Sequence, residues 1–247
     1  MQLKERLGFV KSWLLYYGKP RGAKNLLRFY ASFIKPGMLC FDVGAHLGNR
    51  TSAWLKLGAS VICIEPQPVC IRYLEKKFAN NKRVQLISKG LGKAEGSSEM
   101  SISTLNPAVS TLSSASWMNK MKNAASFDLQ WDKSIEVPIT TLDALIDEFG
   151  IPAFCKIDTE GYELDVLGGL SKPIPFICFE VISVHLESVN GCLQKINALA
   201  RYEFNWSVGE SLTFEFDEWV SSEEILNAIT QYPKKVFSGD VYARMVS

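Results

Sequence analysis

Four carboxylates in this 247-residue chain stand where carboxylates do chemistry: Asp42, Glu65, Asp158 and Glu160. Asp42 opens the run Asp42-Val43-Gly44-Ala45-His46-Leu47-Gly48 after a short apolar stretch. Gly44 permits a tight turn, and Gly48 lets the following helix pack close to the loop. The loop amides and the helix N-terminus then face whatever binds there. A dinucleotide fingerprint would put glycines at positions 42 and 44. A carboxylate at 42 repels a pyrophosphate and suits a ligand with a cationic head. Glu65 closes the next apolar stretch, 21 residues after Gly44. An acid at that place accepts both hydroxyl protons of a ribose, and as a strand-end group it is not expected to belong to the core. A partner for a cation, a tight turn and a ribose acceptor together describe S-adenosylmethionine. Each feature alone has a plainer reading, as a cap, a turn glycine or a surface acid. All three in register after consecutive strands are much harder to obtain by chance.

The second constellation is Lys156-Ile157-Asp158-Thr159-Glu160-Gly161-Tyr162-Glu163. Here a buried strand delivers Asp158 and Glu160 at its carboxyl end, where open α/β sheets bind ligands. Capping by Asp158 or Thr159, with Glu160 favouring the first helical turn, explains one of these residues but not the set. For a reaction that removes a proton, Asp158 and Glu160 are two candidate bases. His185, three residues past the next strand, is the third, because imidazole titrates near neutral pH. His46, inside the glycine loop, reads as a ligand contact. Two carboxylates are too few to define a cation site, and no metal is expected.

The elements that must position these residues alternate. Residues 2–17 carry Leu3, Leu7, Val10 and Leu14 at helical spacing, and a second helix spans Ala23 to Ile34 before Lys35-Pro36-Gly37. Strands at Met38–Val43, Ser60–Ile64 and Val84–Ile87 then alternate with helices at Thr51–Leu57 and Pro68–Ala79. The segment 101–116 breaks the pattern: eight of its sixteen residues are Ser or Thr and none is charged. It reads either as a surface loop or as a loop beside a ligand pocket. Strands follow at Ile135–Thr140, Ala153–Ile157, Phe176–Ile182, Tyr202–Val208, Ser211–Phe216 and Val241–Met245. The helices between them lie near Leu142–Phe149, Tyr162–Leu167, Leu193–Ala200 and Glu223–Thr230. This order predicts an α/β fold, a doubly wound, largely parallel sheet covered on both faces.

Composition bounds the function. The 27 basic and 26 acidic residues leave a formal charge of +1, which argues against a dedicated nucleic-acid binder. The balance is uneven. Residues 1–36 hold eight basic groups against the single acid Glu5, a local charge of +7. The plain reading is a solvated helix face; the sharper one is an anionic partner, either a membrane surface or a phosphate-bearing substrate. No apolar run approaches the ~20 residues a bilayer requires, and no signal-peptide pattern is present, so a cytoplasmic location is expected. Cys40, Cys63, Cys155 and Cys178 sit in apolar runs and read as small buried hydrophobes.

The blocks Asp42 to Asn49, Glu65-Pro66-Gln67-Pro68, Thr141-Leu142-Asp143, Lys156 to Glu163 and Val166-Leu167-Gly168-Gly169 resemble the FkbM-type S-adenosylmethionine-dependent methyltransferases. The resemblance runs from about residue 38 to 182 and more weakly to the last strand. Where that family usually carries Asn after Gly-Ala, this chain has His46. The resemblance implies a Rossmann-like, seven-stranded sheet with an antiparallel last strand; the first 36 residues fall outside it, and the chain reads as one domain, residues 37–247, behind a helical extension, 1–36. It implies O-methylation of a hydroxyl on a sugar, polyketide or other small molecule. By position it adds Ala45, Pro66 and Gln67 to the cofactor contacts, places Gly90 and Leu91 near the adenine, and sets Ser110 and Thr111 over cofactor or substrate. Two other readings remain beside it: a cofactor-binding protein without catalysis, and a nicotinamide-dependent oxidoreductase, which Asp42 disfavours.

Overall fold

The computed structural model describes residues 3–18, 21–125, 128–234 and 236–246. In chain order its strands are β1 (Leu39–Val43), β2 (Ser60–Ile64), β3 (Val84–Ile87), β4 (Gly90–Leu91), β5 (Gly96–Ile102), β6 (Lys133–Thr140), β7 (Phe154–Ile157), β8 (Phe176–Ile182), β9 (Tyr202–Val208) and β10 (Ser238–Met245). The helices are α1 (Leu3–Tyr17), α2 (Gly22–Tyr30), α3 (Asn49–Lys56), α4 (Pro68–Phe78), α5 (Ala115–Ala124), α6 (Leu142–Phe149), α7 (Glu163–Gly168), α8 (Leu186–Asn197) and α9 (Ser222–Thr230).

Seven strands form one sheet in the order β3-β2-β1-β7-β8-β10-β9. The pairs from β3 to β8 are parallel, and β10 runs antiparallel to both its neighbours. Strand alternation explains the two-sided cover. Phe41 and Val43 of β1 face a core closed by α6 to α9, while Cys40 faces a second core closed by α2, α3 and α4. All six cysteines are buried and free, among them the four, Cys40, Cys63, Cys155 and Cys178, read from their apolar runs as buried. The chain winds outward from β1 to β3 and then returns to the other side of β1 with β7. That reversal makes the carboxyl ends of β1 and β7 the topological switch point, where such sheets bind ligands.

Several expectations need correction. The second helix stops at Tyr30 rather than Ile34. Helix α8 begins at Leu186, seven residues before Leu193. Residues 211–216 are irregular rather than a strand; Leu212 has a positive φ of 53°. A second, three-stranded sheet, β4-β6-β5, has no counterpart in the sequence reading beyond β6. Strand β5 is Gly-Ser-Ser-Glu-Met-Ser-Ile, with Met100 its one buried residue, so it lacks the alternating apolar signal. The Ser/Thr-rich segment is structured as well. It runs from the end of β5 through a short 3-10 turn (Pro107–Val109) into α5, and Thr111 pairs with Ser101.

Candidate active site

β1 and β7 lie side by side with Asp42 opposite Lys156, so the loops that leave them must cross at close range. Gly44 makes this possible. Its φ is +76°, and a Cβ there would stand 1.8 Å from the Asp158 carbonyl oxygen. At Gly48, with φ 66°, a Cβ would stand 2.8 Å from Leu74 and 2.9 Å from Phe78 of α4.

Glu65 is only 2% exposed, which corrects its reading as a non-core strand-end acid. One carboxylate oxygen accepts the His46 amide at 2.8 Å and the other accepts the Gln67 amide at 2.8 Å. Burial raises its pKa to about 7 against those two hydrogen bonds. The His46 backbone is left-handed, with φ 50°. Its imidazole is buried with both nitrogens unpartnered, and burial lowers its pKa to about 4, so it is neutral at pH 7. Its ring lies 5.3 Å from that of Tyr16 in α1. Asp42 uses Oδ2 to accept the Thr51 amide at 3.0 Å and the Thr51 hydroxyl, tying β1 to α3. One carboxylate oxygen is thus committed to the fold, although the residue still lines the pocket.

A cavity of about 730 Å³, its open mouth included, lies here. Asp42, Gly44, Ala45, His46, Glu65, Pro66, Gln67, Gly90, Leu91 and Asp158 all line it. Of the cofactor residues inferred from sequence, Gly48 alone does not. The fit to S-adenosylmethionine is chemical. Glu65 and the amides beside it face one part of the cavity as hydrogen-bonding groups, Leu91 and Met100 give apolar surface for a planar base, and Asp158 supplies a carboxylate.

Beyond β7 the chain is held in an uncommon shape. Glu160 has φ 55° and Gly161 φ 91°. A Cβ on Gly161 would fall 2.1 Å from the Trp117 indole nitrogen, so no larger residue fits. Buried Glu163 reaches back to accept the Thr159 amide (2.9 Å), the Thr159 hydroxyl (3.0 Å) and the Gly161 amide (3.2 Å). Thr111 donates its hydroxyl to the Glu160 carbonyl at 2.7 Å. Such strain persists only where the surroundings over-determine it, and it gathers at functional sites.

Three carboxylates meet at this loop. Asp158, Glu160 and Glu180 of β8 offer oxygens that all lie within 4.8 Å of one another. Lys156, fully buried, stands 3.0 Å from Asp158 and 2.8 Å from Asp240; Arg50 is 3.7 Å from Asp158 and 3.8 Å from Asp240. Burial raises the pKa of Asp158, but Lys156 and Arg50 override it and hold the group below the usual range. Glu160 goes the other way: burial, then Asp158 and Glu163, push it well above the ordinary carboxylate value. Glu180 is raised by burial, Asp158 and Glu160, and its Oε2 is buried without a partner. The environments push neighbouring carboxyls apart, the pattern by which one site holds both a fixed anion and a proton acceptor. Oxygen donors of this kind also suit a hard divalent cation.

The other residues singled out by sequence fall in different places. Ser110 lines this cavity, while Thr111 does not and instead grips Glu160. His185 does not line it; its Nε2 is 3.7 Å from Glu187. Sequence reasoning missed Tyr16, Arg50, Glu180 and the ion-pairing role of Lys156. Glu180 did leave a signal, as the lone acid in the buried strand Phe-Ile-Cys-Phe-Glu-Val-Ile. Lys156 left the same signal in Phe-Cys-Lys-Ile.

A cavity at the switch point of a doubly wound sheet, with acid at the ends of two adjacent strands, is the site of a Rossmann-like cofactor-binding fold. The model of the methyltransferase FkbM domain matches residues 42–231. The chain belongs to that family, and its cofactor is S-adenosylmethionine. No curated protein sequence matches the chain. Among solved structures it is similar to precorrin-6y C5,15-methyltransferase from Geobacter metallireducens GS-15, at TM-score 0.45 and 9% identity, over 90% of this chain and 87% of that one. It is similar to Trm5b from Pyrococcus abyssi, at TM-score 0.48 and 12% identity, over 92% of this chain and 49% of that one. It is also similar to P. horikoshii TYW2 in complex with MeSAdo, at TM-score 0.46 and 13% identity, over 92% and 64%.

Proposed function

We propose that this methyltransferase O-methylates a hydroxyl of a small, largely apolar molecule, of polyketide type rather than a bare sugar. The observation that carries this reading is a second cavity that shares Glu160 with the cofactor cavity. It encloses about 1090 Å³ including its open mouth. Its walls are apolar, among them Val109, Met121, Leu129, Ile182 and Phe237, and its acids are Glu160 and Glu180. An apolar wall accepts a hydrocarbon body, and a carboxylate at one point fixes a hydroxyl.

When bound, the cofactor supplies an electrophilic methyl group on a sulfonium. Glu160 accepts the acceptor's hydroxyl proton; burial, Asp158 and Glu163 raise its proton affinity, which makes its carboxylate a stronger base than an exposed one. Asp158, held ionised by Lys156 and Arg50, keeps a fixed negative charge beside the cofactor cavity. Thr111 and Glu163 hold the strained loop so that alignment is set before reaction. Radiolabelled methyl transfer to hydroxyl-bearing macrolides and to free sugars tests the reading. Transfer to the apolar alcohols supports it; transfer to free sugars alone contradicts it.

A further inference from the structure

Helix α1 is seated with its apolar stripe outward. Gly8 and Ser12 are its buried residues, and a Cβ on Gly8 would meet the Thr104 carbonyl oxygen at 2.1 Å. Small residues therefore let the helix backbone lie directly on the body of the protein. Phe9 packs edge-on against Tyr73, Tyr17 donates its hydroxyl to the Leu47 carbonyl at 2.8 Å, and Tyr16 reaches the cofactor cavity. The opposite face carries Leu3, Leu7, Val10 and Leu14, which are 75%, 56%, 53% and 55% exposed. At 3.6 residues per turn these four share one narrow stripe. Lys4 flanks it on one side, with Lys11, whose ammonium donates to the Asn106 side chain, beyond it; Arg6 and Trp13 flank it on the other. Glu5, the one acid among residues 1–36, points away from the stripe and pairs with Lys133 at 3.4 Å.

An aliphatic stripe with cationic borders and a tryptophan at its edge is the pattern of a helix that lies in the plane of a membrane interface. We propose that α1 seats the enzyme on an anionic lipid bilayer, the leucine stripe among the acyl chains and the flanking cations at the headgroup phosphates. The exposed cations Arg21, Lys24 and Arg28 at and in α2 add to the same field. At fifteen residues α1 lies on the surface rather than crossing it, and no described helix is long and apolar enough to span. A second copy of the chain is the competing occupant. A two-fold pairing through this stripe would set Lys4, Arg6 and Lys11 against the same cations of the other copy, which like-charge repulsion opposes. Anionic lipid meets both the apolar stripe and its borders. The inference rests on α1, with the cations of α2 added, and is independent of which molecule receives the methyl group.

The test is co-sedimentation of the full chain with vesicles of phosphatidylcholine alone and of phosphatidylcholine containing phosphatidylglycerol. The expected result is binding to the anionic vesicles about tenfold or more above the neutral ones, weakening as salt screens the cations. The variant Leu7→Gln/Leu14→Gln should lose about tenfold or more of that binding, since it removes apolar insertion, with unchanged melting temperature and cofactor affinity. A variant with charge retained and vesicle binding unchanged would overturn the proposal. So would no binding to anionic vesicles, or a concentration-dependent dimer in light scattering that the variant abolishes.

Discussion

Thr111 reaches across 49 residues of sequence to hydrogen-bond the Glu160 carbonyl at 2.7 Å, and so fixes the backbone that carries the proposed base. The hydroxyl is used twice, because it also accepts the Ser113 amide at 2.8 Å. Thr111→Val keeps the shape and removes both bonds. It should cost about 1–3 kcal/mol of stability, measured by urea unfolding, from buried groups left unpaired. It should also lower kcat more than it raises KM for the cofactor. Thr111→Ser should restore both. An unchanged kcat in the Val variant would make Thr111 a fold contact only.

Glu160→Gln should bind S-adenosylmethionine normally and transfer the methyl group about 10²-fold or more slowly, the range for losing a general base. The pH profile is the sharper readout. A base is active when deprotonated, so the wild-type rate should rise with pH through an apparent pKa above the ordinary carboxylate range, since burial, Asp158 and Glu163 raise Glu160. That apparent value belongs to the cluster with Glu180. The Gln variant should lose this limb; a retained limb would move the base elsewhere.

Cofactor affinity should depend on Glu65. Its pKa of about 7 in the free protein means that it is largely protonated below pH 7. Accepting the ribose hydroxyls as a carboxylate then requires proton release. Affinity should therefore fall as pH drops below 7, approaching about tenfold per pH unit, as calorimetry would read it. Glu65→Gln should weaken binding by about 1.5–3 kcal/mol and flatten that dependence. Glu65→Ala should in addition lower the melting temperature, because the His46 and Gln67 amides lose their acceptor. Full affinity in a folded Gln variant would refute the ribose role.

Lys156 is paired at 3.0 Å and 2.8 Å with two acids while fully buried. Lys156→Met should destabilise the fold by about 3–5 kcal/mol, because Asp158 and Asp240 would be left without their main counter-charge. Urea unfolding checks it. A loss near zero would mean that Arg50 alone compensates both.

The sheet was legible because its strands are apolar runs bounded by turn residues, and Ser60–Ile64, Val84–Ile87, Phe176–Ile182 and Tyr202–Val208 match their predicted bounds. The residues that line the cavity were legible for a related reason. Chemistry at a switch point comes from short loops after strands, so Asp42, Glu65, Asp158 and Glu160 stand close in sequence to the features that position them. Most of what was hidden comes from afar: Glu180 arrives on a neighbouring strand and Tyr16 on a helix that precedes the sheet. Arg50 stands two residues after Gly48, but its pairing with Asp158 and Asp240 is set only by the fold. The β5 strand was hidden because its exposed face and its single buried Met100 give no periodic signal. The orientation of α1 was hidden by the ordinary rule that leucines turn inward. Gly8 and Ser12 are what allow the opposite.

Glu160 lines both the cavity of the glycine loop and the second, apolar cavity, and the proposed reaction is centred on it. The most direct measurement is transfer of labelled methyl from S-adenosylmethionine by the full chain to matched acceptors, with the product's linkage determined by mass spectrometry and NMR. The acceptors are an apolar polyketide alcohol, the same molecule lacking that hydroxyl, and a transfer RNA. The account predicts label as a methyl ether on the alcohol, none on the deoxy compound and none on the RNA. Label on an RNA base, or equal label on the deoxy compound, would contradict it.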